Sequence, residues 1–130
     1  MLGKKIVIVD DEESIRKTFF LILNKQYRVY LAKDAEEALA RFKGPTVDLL
    51  IVDYRLPDMN GVELVARLRE QGFRGEAILI SAHVELIEPD ILSRLRISHF
   101  FAKPLDLNAL NRSIDYLLHK DEIEALQMRV

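Results

Sequence analysis

Four consecutive apolar residues, Leu49, Leu50, Ile51 and Val52, stop on a carboxylate at Asp53. The chain then opens into a turn-rich stretch, Tyr54, Arg55, Leu56, Pro57, Asp58, Met59, Asn60 and Gly61. A strand with one face in water alternates apolar and polar residues. A short unbroken apolar run reads instead as a strand buried on both faces of a parallel sheet. Such a sheet needs helices on both sides, and its strands all end at one edge. In open α/β sheets that edge is where ligands bind. The run therefore places Asp53 where chemistry can occur, although an Asp that only caps a turn would look the same by itself.

The rest of the chain repeats the pattern. Ile6, Val7, Ile8 and Val9 form a first β-branched run that ends at Asp10 and Asp11. A helix begins there, and the acids Asp10 to Glu13 suit the positive end of its dipole. Ile15, Phe19, Ile22 and Leu23 recur at helical spacing as far as Asn24. Residues 26–31, with Tyr27, Val29 and Leu31 alternating, read as a strand with one wetter face. Asp34 and Glu37 have capping-box spacing and open a second helix with Ala35, Ala38, Leu39 and Phe42 facing inward. Gly44 and Pro45 end it. After the strand of Asp53, Asn60 and Glu63 open a third helix carrying Val62, Val65 and Leu68 on one face, ended by Gln71 and Gly72. Residues 76–80 form a fourth strand that finishes at Ser81, Ala82 and His83. Pro89 is acceptable only in a first helical turn, so the fourth helix starts near Glu88 and runs to about Leu95. Residues 99–102 are a short fifth strand, stopped by Lys103 and Pro104. Asp106 caps a last helix with Leu107, Leu110, Ile114, Leu117 and Leu118.

Five such units predict an α/β fold, a flavodoxin-like three-layer sandwich. Its five-stranded parallel sheet has the order 2-1-3-4-5, with five helices and right-handed crossovers. Residues 1–119 make the domain, and residues 120–130 a helical C-terminal extension. At 130 residues the chain suits a single domain. A formal net charge of −2 advertises no nucleic-acid contact. The absence of Cys excludes a disulfide framework, thiol catalysis and thiolate metal sites. The apolar run after Lys4 and Lys5 is too short for a signal peptide. No stretch approaches the roughly 20 apolar residues of a membrane span. The expected location is cytoplasmic, with no membrane contact.

All the parallel strands point their C-termini to one edge. Strand one brings Asp10 and Asp11, strand three Asp53, strand four Ser81 and strand five Lys103. Each has an ordinary reading as a cap, turn hydroxyl or solvated lysine, but their joint position at strand ends does not. Clustered carboxylates repel unless a cation joins them. Oxygen ligands without His or Cys suit a hard ion such as Mg²⁺. A carboxylate can be the nucleophile that forms an aspartyl phosphate. Lys103 and Ser81 could then neutralise and hydrogen-bond the phosphoryl oxygens.

On these residues the sequence resembles a response-regulator receiver domain of two-component signalling, over residues 4 to about 119. The resemblance is carried by Val9, Asp10 and Asp11; by Asp53 with Leu56, Pro57, Met59, Asn60 and Gly61; by Ser81 and Ala82; and by Lys103 and Pro104. It implies that Asp53 takes a phosphoryl group from a histidine-kinase phosphohistidine. It implies that Asp10, Asp11, Asp53 and the backbone carbonyl of Arg55 hold Mg²⁺, that Ser81 and Lys103 grip the phosphoryl group, and that the Lys103-Pro104 bond is cis. Phe100, three residues before Lys103, stands where receivers carry a switch aromatic. The responding surface would be helix four, strand five and helix five. Arg55 and His83 stand at positions that tune the lifetime of the phosphoryl group. Such a domain is a phosphoacceptor, not a turnover enzyme. Its expected partners are a sensor histidine kinase or phosphotransfer protein, and a downstream protein or an output domain outside these residues. Two features depart from the family: Arg96, Ile97 and Ser98 replace the usual Gly-Ala turn before strand five, and Leu86 to Pro89 make an unusual start to helix four.

Tyr116, His119, Ile123, Leu126 and Val130 recur at alternating three- and four-residue steps, a heptad-like seam. The extension reads either as a fraying amphipathic end or as a helix that pairs two protomers or leads into an output domain. Two other functions fit less well. An Asp-nucleophile phosphatase usually carries a second Asp two residues on, where this chain has Arg55. A flavin or nucleotide binder would need a Gly-rich loop after strand one, where Asp10 and Asp11 stand.

Overall fold

The computed structural model describes residues 3–128. The strands are β1 (Lys5–Val9), β2 (Arg28–Ala32), β3 (Leu49–Asp53), β4 (Glu76–Ser81) and β5 (His99–Ala102). The helices are α1 (Glu13–Leu23), α2 (Ala35–Arg41), α3 (Gly61–Glu70), α4 (Pro89–Arg94) and α5 (Leu107–Met128). All strand pairs are parallel, in the order β2-β1-β3-β4-β5, as the sequence predicts.

The side chains of the central strands divide into two cores. Val7, Val9, Leu50, Val52, Ala77 and Leu79 pack with Ala35 and Ala38 of α2 and Leu64, Val65 and Leu68 of α3. Ile6, Ile8, Leu49, Ile51, Ile78 and Ile80 pack with Phe19 and Leu23 of α1 and Leu110, Ile114, Leu117 and Leu118 of α5. This two-sided burial is why β1, β3 and β4 show no polar alternation.

Several details differ from expectation. The second strand starts at Arg28 rather than at residue 26, because the Gln26 and Tyr27 amides donate to the Leu23 carbonyl at the end of α1. The second helix ends at Arg41, and Gly44–Thr46 forms a separate 3-10 turn. On α3 the buried stripe includes Leu64, while Val62 is only half-buried. Ile22 is 40% exposed and Leu107 39% exposed. Five apolar residues run without a break from Phe19 to Leu23, so spacing alone does not select the buried pair. Helix α5 runs unbroken to Met128, so the extension continues it. Tyr116 and Leu126 of the seam are exposed and Ile123 half-buried; Val130 lies outside the described residues.

Helices α3 and α4 end in the same motif. The Gly72 and Phe73 amides donate to the Arg69 and Leu68 carbonyls. The Arg96 and Ile97 amides donate equivalently to Ser93 and Leu92. This Schellman arrangement needs a left-handed residue after the helix. Gly72 supplies it with φ +94°, and Arg96 adopts it with φ +55° despite its side chain. Arg69 fastens the two ends together. It donates through Nε to Leu95 O at 3.0 Å and Nη2 to Arg96 O at 3.0 Å, and through Nη1 to Gly75 O at 2.7 Å. Its guanidinium also covers the Phe73 ring.

Gly61 opens α3 directly beneath the end of β3, and its amide donates to Tyr54 O at 2.7 Å. A Cβ at residue 61 would collide with the Asp53 carbonyl. Gly61→Ala should therefore push the end of β3 aside and cost about 1–3 kcal/mol. Urea denaturation checks this, and unchanged stability would show that the loop yields freely.

Candidate phosphoacceptor and metal site

Register assembles the C-terminal edge. Val9 pairs with Val52, which sets Asp10 beside Asp53. Asp53 pairs with Ile80 and Ser81 with Ala102, which brings Lys103 in from the far side. Among the described residues the buried polar side chains are these three: Asp10 at 2%, Asp53 at 6% and Ser81 at 1% exposure. Buried charge is costly unless paired, so their grouping needs a local cause.

Lys103 is that cause in part. Its Nζ donates to Asp53 Oδ2 at 2.9 Å, to Glu12 Oε1 at 3.2 Å and to Asp10 Oδ2 at 3.4 Å. Asp10 Oδ1 also accepts from the Glu12 amide at 2.9 Å, and the Arg16 guanidinium donates to the Asp10 carbonyl at 2.6 Å. Asp53 Oδ1 accepts a longer bond, 3.3 Å, from the Arg55 amide. The Ser81 hydroxyl oxygen accepts from the His83 amide at 2.9 Å, which leaves its proton available for donation. The Lys103-Pro104 bond is cis. Asp11, Glu12, Asp53, Arg55, Ala82, His83 and Lys103 line a cleft of about 210 Å³ over the carboxylates.

The charges do not balance. Burial, reinforced by the Asp53 charge, pushes Asp10 up to about 6, against the Glu12 amide and Lys103, which pull it down. Burial alone would lower Lys103. Its hydrogen bond to Asp53 and the charges of Asp10 and Asp53 outweigh that, and its pKa rises. Asp10, Asp11, Glu12 and Asp53 can each bring one carboxylate oxygen within 4.8 Å of the others. An all-oxygen, charge-excess donor set fits a hard divalent cation, Mg²⁺ above the softer metals.

The sequence model of the response regulator receiver domain matches residues 6–115. The chain belongs to that family. It is 31% identical over 125 residues to the alkaline phosphatase synthesis transcriptional regulatory protein PhoP of Bacillus subtilis, covering 95% of this chain and 52% of that protein. It is 33% identical over 118 residues to the Regulator of RpoS of Escherichia coli K12, covering 88% and 34%. The chain thus spans about half of the first relative and a third of the second. Sporulation initiation phosphotransferase F of Bacillus subtilis is matched over nearly its whole length, 29% identical across 88% of this chain and 93% of that protein. Among solved structures, a CheY-like receiver domain protein from Methanospirillum hungatei superposes with a TM-score of 0.84 at 28% identity, covering 94% of this chain and 98% of that one. The response regulator TrrA from Thermotoga maritima, solved in complex with Mg²⁺-BeF, gives 0.75 at 28% identity, covering 88% and 99%.

In this receiver domain the expected residues come together at one edge: Asp10, Asp11, Asp53, Ser81 and Lys103, with Arg55 and His83 on the cleft wall. Phe100 is half-buried and packs on the α2/α3 side of the sheet, while Phe101 packs on the other face. His99 is exposed; His119 lies 3.3 Å from the Tyr27 hydroxyl, away from the cleft. Two participants escaped the sequence reading. Glu12, there only one acid of a first turn, is a direct partner of Lys103. Asp58 accepts from the Ala35 and Glu36 amides at 3.1 and 2.8 Å, tying the loop after Asp53 to the start of α2. Burial pushes its pKa up, but these amides win and hold it below its ordinary value.

Asp10 makes a contribution to the pH response of the metal-free domain opposite in sign to that of Asp58 and Glu76, whose pKa values are lowered. Its folded-state pKa, about 6, lies above the unfolded value of 3.8. At Asp10 the folded form therefore binds more protons between these values, and its contribution to stability falls as pH rises through that window, then stays level above it. At about 1.4 kcal/mol per unit, the upper bound on the loss is near 3 kcal/mol. Asp10→Asn removes the charge but also one acceptor. It should raise stability at pH 8 by about 1–2 kcal/mol in chelator and change it little at pH 4. Denaturation at both pH values measures this; equal effects at both would place the cost elsewhere.

Proposed function

We propose that this receiver domain is a Mg²⁺-dependent phosphoacceptor, with Asp53 as the residue modified. The observation that carries the reading is the buried Asp53 carboxylate, held by Lys103 at 2.9 Å inside a cluster of acids at the sheet edge. An Asp53 oxygen attacks the phosphorus of a phosphohistidine on a histidine kinase or phosphotransfer protein. The P–N bond breaks, its electrons return to the imidazole, and an acyl phosphate forms. Lys103 loses its pairing with the Asp53 oxygen and meets the phosphoryl oxygens, while Ser81 donates its free proton to one of them. Asp10, Asp11, Asp53 and the Arg55 carbonyl are the ligands we assign to Mg²⁺. The ion, when bound, neutralises charge on the transferring group.

The phosphoryl group adds roughly −1.5 to −2 charges at pH 7. Ser81 moving toward it would vacate space for Phe100, which makes α4, β5 and α5 the responding surface. The partner reading that surface is a downstream protein or an output domain, in keeping with relatives about two to three times the length of the matched region. We assign no substrate turnover beyond slow loss of the phosphoryl group. No described helix is long and apolar enough to cross a membrane, and we place the domain in the cytoplasm. The extension, residues 120–130, is proposed as a pairing or linker helix, on the strength of exposed Tyr116 and Leu126 along continuous α5. Light scattering across a concentration series, with and without those residues, should show self-association only in the longer chain; two identical monomers would remove the pairing role.

Intact mass after incubation with acetyl phosphate tests the main reading. One phosphoryl adduct should form with Mg²⁺, and none without Mg²⁺ or in Asp53→Ala. An adduct that persists in Asp53→Ala overturns the assignment, as does failure with both acetyl phosphate and a panel of phosphorylated kinases. In the same experiment, replacing Arg55 and His83 together by small neutral residues should change the adduct's decay severalfold, because both line the cleft that attacking water must enter.

A further inference from the structure

The opposite, N-terminal edge of the sheet carries a concave site of the opposite charge. Arg69, Arg74, Arg96 and Lys120 line a cavity of about 420 Å³, with Glu76 as its one carboxylate. Glu76 is already engaged, by Lys120 Nζ at 2.5 Å and the Ser98 hydroxyl at 2.5 Å. Among the described residues none of the three arginines has an ion-pair partner. Arg69 spends its N–H groups on backbone carbonyls. Arg74 and Arg96 remain with planar, undirected guanidinium forks at the rim. Burial and the neighbouring Arg96 charge lower the Arg69 pKa against the opposing pull of Glu76, and one carboxylate faces four cations. Arg96 also holds its place from a left-handed backbone, φ +55°, where glycine would sit more easily.

We propose that this cavity is a binding site for a phosphate-bearing small molecule, gripped by Arg74, Arg96 and the free N–H groups of Lys120. Guanidinium forks match phosphate oxygens two at a time. The cavity falls in the size range of small-ligand pockets and exceeds what bare phosphate fills. Ile97 and Leu117 form an apolar wall that only the body of a phosphate ester could use. The site is independent of Asp53 and lies at the other end of the strands. Its occupant would bear on the receiver's output side, because Arg96 closes α4 and Arg69 ties that closure to α3.

Amide chemical shifts of the full chain, in chelator and at constant ionic strength, test this with two probes, inorganic phosphate and ADP. Saturable shifts are expected at Gly75, Ile97 and Ser98. Tighter ADP binding identifies an ester; equal binding identifies the phosphate group alone as the recognised unit. Arg96→Gly relieves the left-handed backbone while removing the guanidinium, so its fold is secure, and affinity should fall about tenfold. Arg74→Gln should fall by a similar factor, and Glu76→Gln should bind more tightly. Shifts that do not saturate, that appear only around Asp53, or that survive unchanged in Arg96→Gly and Arg74→Gln overturn the proposal.

Discussion

One ammonium shared among buried carboxylates is the constraint around which this domain is arranged. Asp10 and Asp53 are withdrawn from water on adjacent strands, and Lys103 alone bridges them. The pairing is unequal. Asp53 has the short bond and Asp10 a longer one and a backbone amide; burial, with the Asp53 charge, raises the Asp10 pKa despite both. Removing Lys103 would leave two uncompensated buried charges, a loss far larger than the net worth of the bridge. The site is thus held together, yet short of positive charge. A divalent cation would make up that shortage, and a phosphoryl group on Asp53 would claim the same lysine.

The sheet's contribution is accuracy of placement. Strands β1, β3, β4 and β5, in register, deliver the site residues to one edge, and Gly61 lets the start of α3 lie directly against the Asp53 backbone. These features were legible in the sequence because they are local: an apolar run ending on a charge, a capping Asn three residues before Glu, a turn rich in Pro and Gly. Strand order followed from the same units. What was not legible was long-range and side-chain-to-backbone. Nothing in the spacing of Asp58 shows that it caps a helix more than twenty residues upstream. Nothing in Arg69 shows that it closes the ends of two helices. Ile22 looked like a core position because periodicity cannot choose within the continuous apolar stretch Phe19 to Leu23, whereas Leu107, first residue of α5, fits the helix's apolar spacing yet stays 39% exposed.

Helix α4 is where these threads meet. It is six residues long and has no buried residue. The preceding segment from Ala82 is mostly exposed, including Val84 at 50% and Leu86 at 46%. An element with so little buried apolar area is among the least costly in the fold to displace. Its C-terminal end is different. There the Schellman bonds and two donations from Arg69 fix the Leu95 and Arg96 carbonyls to α3. Rearrangement of α4 is therefore cheapest at its N-terminal side, which follows directly from Ser81 and His83 at the cleft. A change in the hydrogen bonding of Ser81 enters α4 through its loosest part, while the far end stays clamped. That asymmetry makes the N-terminal side of α4 the part of this surface that a change at Ser81 would displace first.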